Sequence, residues 1–171
     1  MRDMGGKLQR LVLDANIFFD LDCARILGNI FRLGCELNTT NLIEEQLKSL
    51  KPDLLKQLGL KVVDLDGVQV SAISHLRRKY EGPDAADLSA LVLAKGERLL
   101  LVTRDGPLAE AAKTENVAVR DTLWLLRKLV ASGVLSASDA ATALETMQKK
   151  RVRRPIPAWG TQIKKWRAQS R

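Results

Sequence analysis

Asp14 stands directly after the apolar run Leu11-Val12-Leu13 in RLVLDANIFFDLD, so a carboxylate sits where a buried strand leaves the core. In open α/β sheets ligands bind beyond the carboxyl ends of the strands, which is where Asp14 falls. Asn16, two residues on, can cap the helix that follows or hold the carboxylate by a hydrogen bond. Asp105 stands just past a second apolar run, LLLVT at 99–103, and Asp84 and Asp87 open the helical stretch from Ala85. Each acid also has a purely structural role open to it, since caps at Asp84 and Asp105 are worth about 1 kcal/mol each. Caps do not account for convergence. Asp14 and Asp105 leave two strands at one edge of the sheet, and Asp87 begins the helix leading into the second. Two carboxylates brought within ~4 Å repel by roughly 4 kcal/mol at an effective dielectric of 20, so such a cluster needs a cation or a proton. All-oxygen ligation selects a hard metal, Mg²⁺ or Mn²⁺.

The elements that must position these acids follow from the hydrophobic pattern. Strands are expected near Leu11–Leu13, Cys35–Thr39, Leu60–Leu65, Leu99–Thr103 and Val117–Val119, and helices over 17–33, 42–50, 68–80 and 85–95, then from Gly106 to Glu115. A short helical piece begins at Pro52, and Gly34, Gly59 and Gly96 read as helix stops. The alternation of strand and helix predicts an α/β sandwich with a mostly parallel central sheet and helices on both faces. Helices over 122–132 and 138–150 form an αα-hairpin beyond the sheet, RRPIP breaks the helix, and 159–169 reads as one more. The expected organisation is a catalytic domain at 8–120, the hairpin at 121–150 and a basic, tryptophan-containing tail at 151–171.

Composition narrows the classes. A chain of 171 residues, 46% hydrophobic, suits one domain with an appendage. Cys23, Cys35 and a lone His75 make no zinc set, and the thiols read as buried hydrophobes of a reducing compartment. Arg2, Asp3 and the Gly5-Gly6 pair are unlike a targeting segment, and no apolar run has membrane-spanning length, which reads as a cytoplasmic protein without a membrane partner. The formal charge of +8 is concentrated: nine of the 28 Lys/Arg and no acid lie in 149–171, leaving 19 basic and 20 acidic residues, net −1, in 1–148. Local positive charge is the footprint of a polyanion, most simply nucleic acid. The candidate contacts are Lys149, Lys150, Arg151, Arg153, Arg154, Lys164, Lys165 and Arg167, together with Arg104 beside Asp105. Trp159 and Trp166 either pack this segment on the domain or stack on bases; Trp124 reads as core or as a contact in a homodimer. Asp64 and Asp66 read as strand-end and turn residues.

LVLDANIFF, TTNLIEEQL and DAADLSALVLAKGERLLLVTRD, in this order across roughly residues 10–120, resemble the successive signature segments of the PIN domain nucleases. The resemblance makes Asp14 the first metal-site acid, Asp87 the third and Asp105 the fourth, in the TxD element, with Asn16 and Thr103 as polar supports. The second acid falls on Glu45, with Glu44 as the alternative because Gln46 stands where the family has an apolar residue. Asp84 falls where the family often has Ser, which favours a cap. The resemblance implies a PIN-like fold with added C-terminal helices. It also implies hydrolysis of RNA phosphodiesters by water on one or two Mg²⁺ or Mn²⁺ ions, leaving a 5′-phosphate and a 3′-hydroxyl. Many bacterial and archaeal members are toxins held by a small antitoxin protein, and others process RNA alone. The contrasting expectation is a non-catalytic RNA-binding module that keeps the fold.

Overall fold

The computed structural model describes residues 8–169; residues 1–7, with Gly5-Gly6, and 170–171 at the end of the basic tail lie outside the described residues. Strands β1 (Arg10–Leu13), β2 (Glu36–Thr40), β3 (Lys61–Val63), β4 (Leu100–Val102) and β5 (Val119–Arg120) form one sheet in the order β3-β2-β1-β4-β5. Every neighbouring pair is parallel. The chain builds outward from β1 through β2 to β3, then crosses back to lay β4 on the other side of β1. The topological switch point therefore lies between β1 and β4, with Leu13 opposite Val102 in register.

Leu11, Val12 and Leu13 are wholly buried, as a strand covered on both faces requires. Helix α1 (Ala15–Cys23) follows β1 and sinks Ile17, Phe18 and Leu21 into the core. It is shorter than the helix expected over 17–33. Arg25 adopts the left-handed conformation at φ 59°, and the Ile26 N–H closes back on the Leu21 carbonyl at 2.9 Å. That closure ends the helix without a glycine, and a separate 3₁₀ turn covers Leu27–Arg32. Helix α2 (Asn41–Gln46) is capped by Thr40, with α3 (Pro52–Gln57) and α4 (Gly67–Lys79) after it. Asp66 caps α4 in a reciprocal box with Gln69.

Helix α5 (Ala85–Glu97) lies across the sheet against β1, β2 and β4. Its Leu88–Ala94 stretch is buried all round, which suits a helix covered by neighbours on every side. It runs past Gly96 and stops at Arg98, in the left-handed region at φ 53°. Helix α6 (Gly106–Thr114) leads to β5.

Helices α7 (Thr122–Ala131), α8 (Ala137–Arg151) and α9 (Pro157–Gln169) complete the fold, α8 packing on α1 and α9 on α8. Trp159 and Trp166 are 2% and 3% exposed, so they are packing anchors of α9 and not stacking platforms for bases. Trp124 is half-buried, with Lys128 Nζ 5.6 Å from its ring centre. Among the described residues no helix is long and apolar enough to cross a membrane.

Candidate metal centre

Asp14 occupies the cap position of α1 but makes no side-chain cap bond. Its backbone N–H continues the β1–β4 ladder to the Val102 carbonyl at 3.1 Å, which aims the side chain across the sheet edge. There the Thr103 hydroxyl donates to Oδ2 at 2.8 Å and Asn16 Nδ2 approaches the same oxygen at 3.4 Å. The residue is fully buried, and its other oxygen, Oδ1, has no hydrogen-bond partner. Burial pushes the carboxyl up to about 7, the charges of Asp87 and Asp105 add to the rise, and the Thr103 bond works against it.

Asp87 is the third residue of α5 and shares a capping box with Asp84. Its Oδ2 accepts the Asp84 N–H at 2.9 Å, and Asp84 Oδ1 accepts the Asp87 N–H at 2.9 Å. This fixes Asp87 on the first turn, where burial raises its carboxyl, the Asp84 backbone bond lowers it, and the charges of Asp84 and Asp105 raise it again. The first turn of α5 is itself tied to β2: Ser89 donates to the Ala86 carbonyl, and the Ser89 and Thr40 hydroxyls lie 2.6 Å apart.

Asp105 Oδ1 caps α6 by accepting the Leu108 N–H at 2.7 Å, and the Asp105 N–H donates to Thr103 Oγ1 at 3.0 Å. Asp14, Asp87 and Asp105 thus meet at the switch point, close enough to perturb one another. Asp84 is the cap that the sequence favoured. Each cap engages one carboxylate oxygen, and among the described residues no group of three or more His, Cys, Asp or Glu side chains is placed so that it could hold a metal ion. What points to a cation is Asp14 Oδ1. A buried carboxylate oxygen without a donor, beside two more carboxylates, is a group that a cation would satisfy.

The second acid is not brought there. Glu45 points to solvent, 69% exposed, and pairs with Lys48 at 2.8 Å; Glu44 pairs with Lys56 at 2.8 Å. Burial of Ile43 and Leu47 sets the phase of the six-residue α2 and turns Glu45 outward. The α2 side chain that reaches the acids is Gln46, whose Nε2 lies 3.5 Å from Asp84 Oδ2.

The basic residues divide. Arg104 does not project into solvent toward a substrate: it grips the buried Asp20 by Nε at 2.7 Å and Nη2 at 3.1 Å. Arg151 also bonds Asp20, at 3.3 Å, and lies over the Phe19 ring. Arg167 is held by Glu145 at 3.0 Å and by Ser138 and Thr142, which fasten α9 to α8. Lys149, Lys150, Arg153, Arg154, Lys164 and Lys165 are exposed. Asp20 itself escaped the sequence reading, although an acid at the i+3 position from Ile17, on the apolar face of α1, was the signal.

No curated protein matches the chain by sequence. Among solved structures it is similar to a PilT N-terminus domain protein, SSO1118, from the hyperthermophilic archaeon Sulfolobus solfataricus P2. The identity is 14% and the TM-score 0.47, over 70% of this chain and 92% of that one. A sequence-family model described as a PIN domain matches residues 11–167, taking in the sheet, the acidic cluster and the C-terminal helices. PIN domains are generally nuclease domains that use divalent metal ions. With its parallel sheet, its acids at the switch point and a match over nearly its whole length, the chain belongs to the PIN domain family.

Proposed function

We propose that this chain is a metal-dependent endoribonuclease that hydrolyses RNA phosphodiester bonds at the β1–β4 switch point. The observation that carries the proposal is the wholly buried Asp14 with its unpartnered Oδ1, facing Asp87 and Asp105. Asp14, Asp87 and Asp105 would hold Mg²⁺ or Mn²⁺, Asp14 offering Oδ1 and the two capping acids their remaining oxygens. When bound, such an ion lowers the pKa of a water molecule and neutralises charge developing on a phosphate.

The chain's own groups prepare that chemistry. Thr103 and Asn16 occupy Oδ2 of Asp14 and so direct Oδ1 toward the cluster. Burial of Asp14 raises its carboxyl to about 7, so near neutral pH a cation that replaces the proton would favour the ionised form. The caps of α5 and α6 hold Asp87 and Asp105 at fixed angles before any ligand arrives. The exposed cations of 149–154 and 164–165 supply a surface for the RNA backbone.

The test is cleavage of single-stranded RNA in Mg²⁺ or Mn²⁺ by the native chain and by Asp14→Asn and Asp87→Asn. Loss of activity in both variants supports the reading, and unchanged activity in both sinks it. RNA binding by the native chain without cleavage in either metal marks it as a non-catalytic RNA-binding module.

A further inference from the structure

Asp20 is wholly buried on α1, outside the acidic cluster, and both of its oxygens are occupied. Arg104 donates to Oδ2 at 2.7 Å and to Oδ1 at 3.1 Å, Thr122 donates to Oδ2 at 3.2 Å, and Arg151 donates to Oδ1 at 3.3 Å. One carboxylate therefore joins α1, the β4–α6 connection, the first residue of α7 and the last residue of α8. Arg104 Nη2 also reaches the Arg151 carbonyl at 3.4 Å. A buried ion pair is weak evidence for stability, because desolvation offsets the attraction. What a two-pronged guanidinium grip does supply is a defined geometry.

The geometry it defines is that of the cluster. Arg104 is the residue between Thr103, which bonds Asp14, and Asp105, whose N–H returns to Thr103. With the Arg104 side chain pinned in the core, the peptide on either side of it has little freedom to turn. We propose that Asp20 is a positioning residue for Asp105, and that through Arg151 it makes the end of α8 part of the same support. The catalytic consequence rests on the nuclease reading; the clamp does not. Loosening it lets Asp105 drift from Asp14 and weakens capture of a cation without touching the surface that meets RNA.

The experiment uses the full chain and three measurements. They are amide hydrogen exchange at Asp105 and Leu108 without metal, Mn²⁺ affinity by calorimetry, and kcat and KM for RNA cleavage. Asp20→Asn and Arg151→Met are compared with the native chain, with circular dichroism to establish that each folds. Both variants should exchange the two amides at least about tenfold faster. Mn²⁺ affinity should fall about tenfold, and kcat should drop with KM unchanged. Arg151→Lys should recover part of the loss. If Asp20→Asn does not fold, Arg151→Met, altering a side chain one-third exposed, carries the test. Native exchange rates at Asp105 and Leu108 in a folded variant overturn the proposal, and so does a rise in KM with kcat intact. Faster exchange in the variants, with no Mn²⁺ binding or cleavage by the native chain, upholds the clamp and sinks the nuclease reading.

Discussion

The Thr103 hydroxyl joins two acids that lie 91 residues apart in the chain: it donates to Asp14 Oδ2 at 2.8 Å and accepts the Asp105 N–H at 3.0 Å. One proton and one lone pair thus set the distance between the ends of β1 and β4. Thr103→Val keeps the shape and removes both bonds. It leaves Asp14 Oδ2 with only the longer Asn16 contact and strands the Asp105 N–H, so a loss of about 1–3 kcal/mol is expected in urea unfolding. The bond that lowers the Asp14 carboxyl disappears as well, so the acid limb of a pH–rate profile should move to higher pH.

Asp14 also makes the metal-free protein's stability depend on pH with a sign unusual for an acid. Its carboxyl rises from 3.8 to about 7 on folding, so between these values the folded chain holds a proton that the unfolded chain has released. Stability should therefore fall as pH rises from about 4 to about 7, by an amount on the order of 4 kcal/mol. Asp14→Asn should remove this slope, and added Mn²⁺ should reverse it in the native chain. Thermal melts across that range, with and without the ion, measure both. Glu36, held down to about 2 by Lys61 and Arg10, gives the opposite slope in more acidic solution.

Glu45→Gln should leave cleavage within about twofold of the native rate, because the exposed pair it breaks with Lys48 is worth little. Asp87→Asn in the same assay should abolish it. Parallel kcat/KM measurements separate the two, and a collapse of activity in Glu45→Gln would place the second acid in the cluster after all.

For the basic surface, the expected signature is in salt dependence. Neutralising Lys149, Lys150, Arg153 and Arg154 to Gln should weaken RNA binding and flatten the plot of log affinity against log salt by about 0.7 for each phosphate that the protein no longer neutralises. Arg167→Gln should leave that slope alone and lower the melting temperature, since Arg167 fastens α9 to Glu145, Ser138 and Thr142. Filter binding over a salt series distinguishes the two groups.

The parallel sheet and the strand-end positions of Asp14 and Asp105 were legible in the sequence because both depend on short-range signals. Apolar runs end abruptly at a carboxylate, and α5 and α6 begin with recognisable caps. Glu45 was misplaced for a physical reason: α2 has six residues, too few for periodicity to fix its phase, and the burial of Ile43 and Leu47 decides it. Helix ends at Arg25 and Arg98 were hidden because an arginine in the left-handed region carries no compositional mark. Arg104 and Arg151 looked like surface cations because their partner, Asp20, is buried and lies 84 and 131 positions away from them in the chain. Sequence separation of that size leaves no local trace.

Trp124, Trp159 and Trp166 are the chain's three tryptophans, and they sit on α7 and α9. Ultraviolet-excited emission will consequently be blind to the sheet and will report the C-terminal helices. A red shift that precedes loss of the ellipticity signal during denaturation would show those helices peeling away before the rest melts, with no label needed to see it.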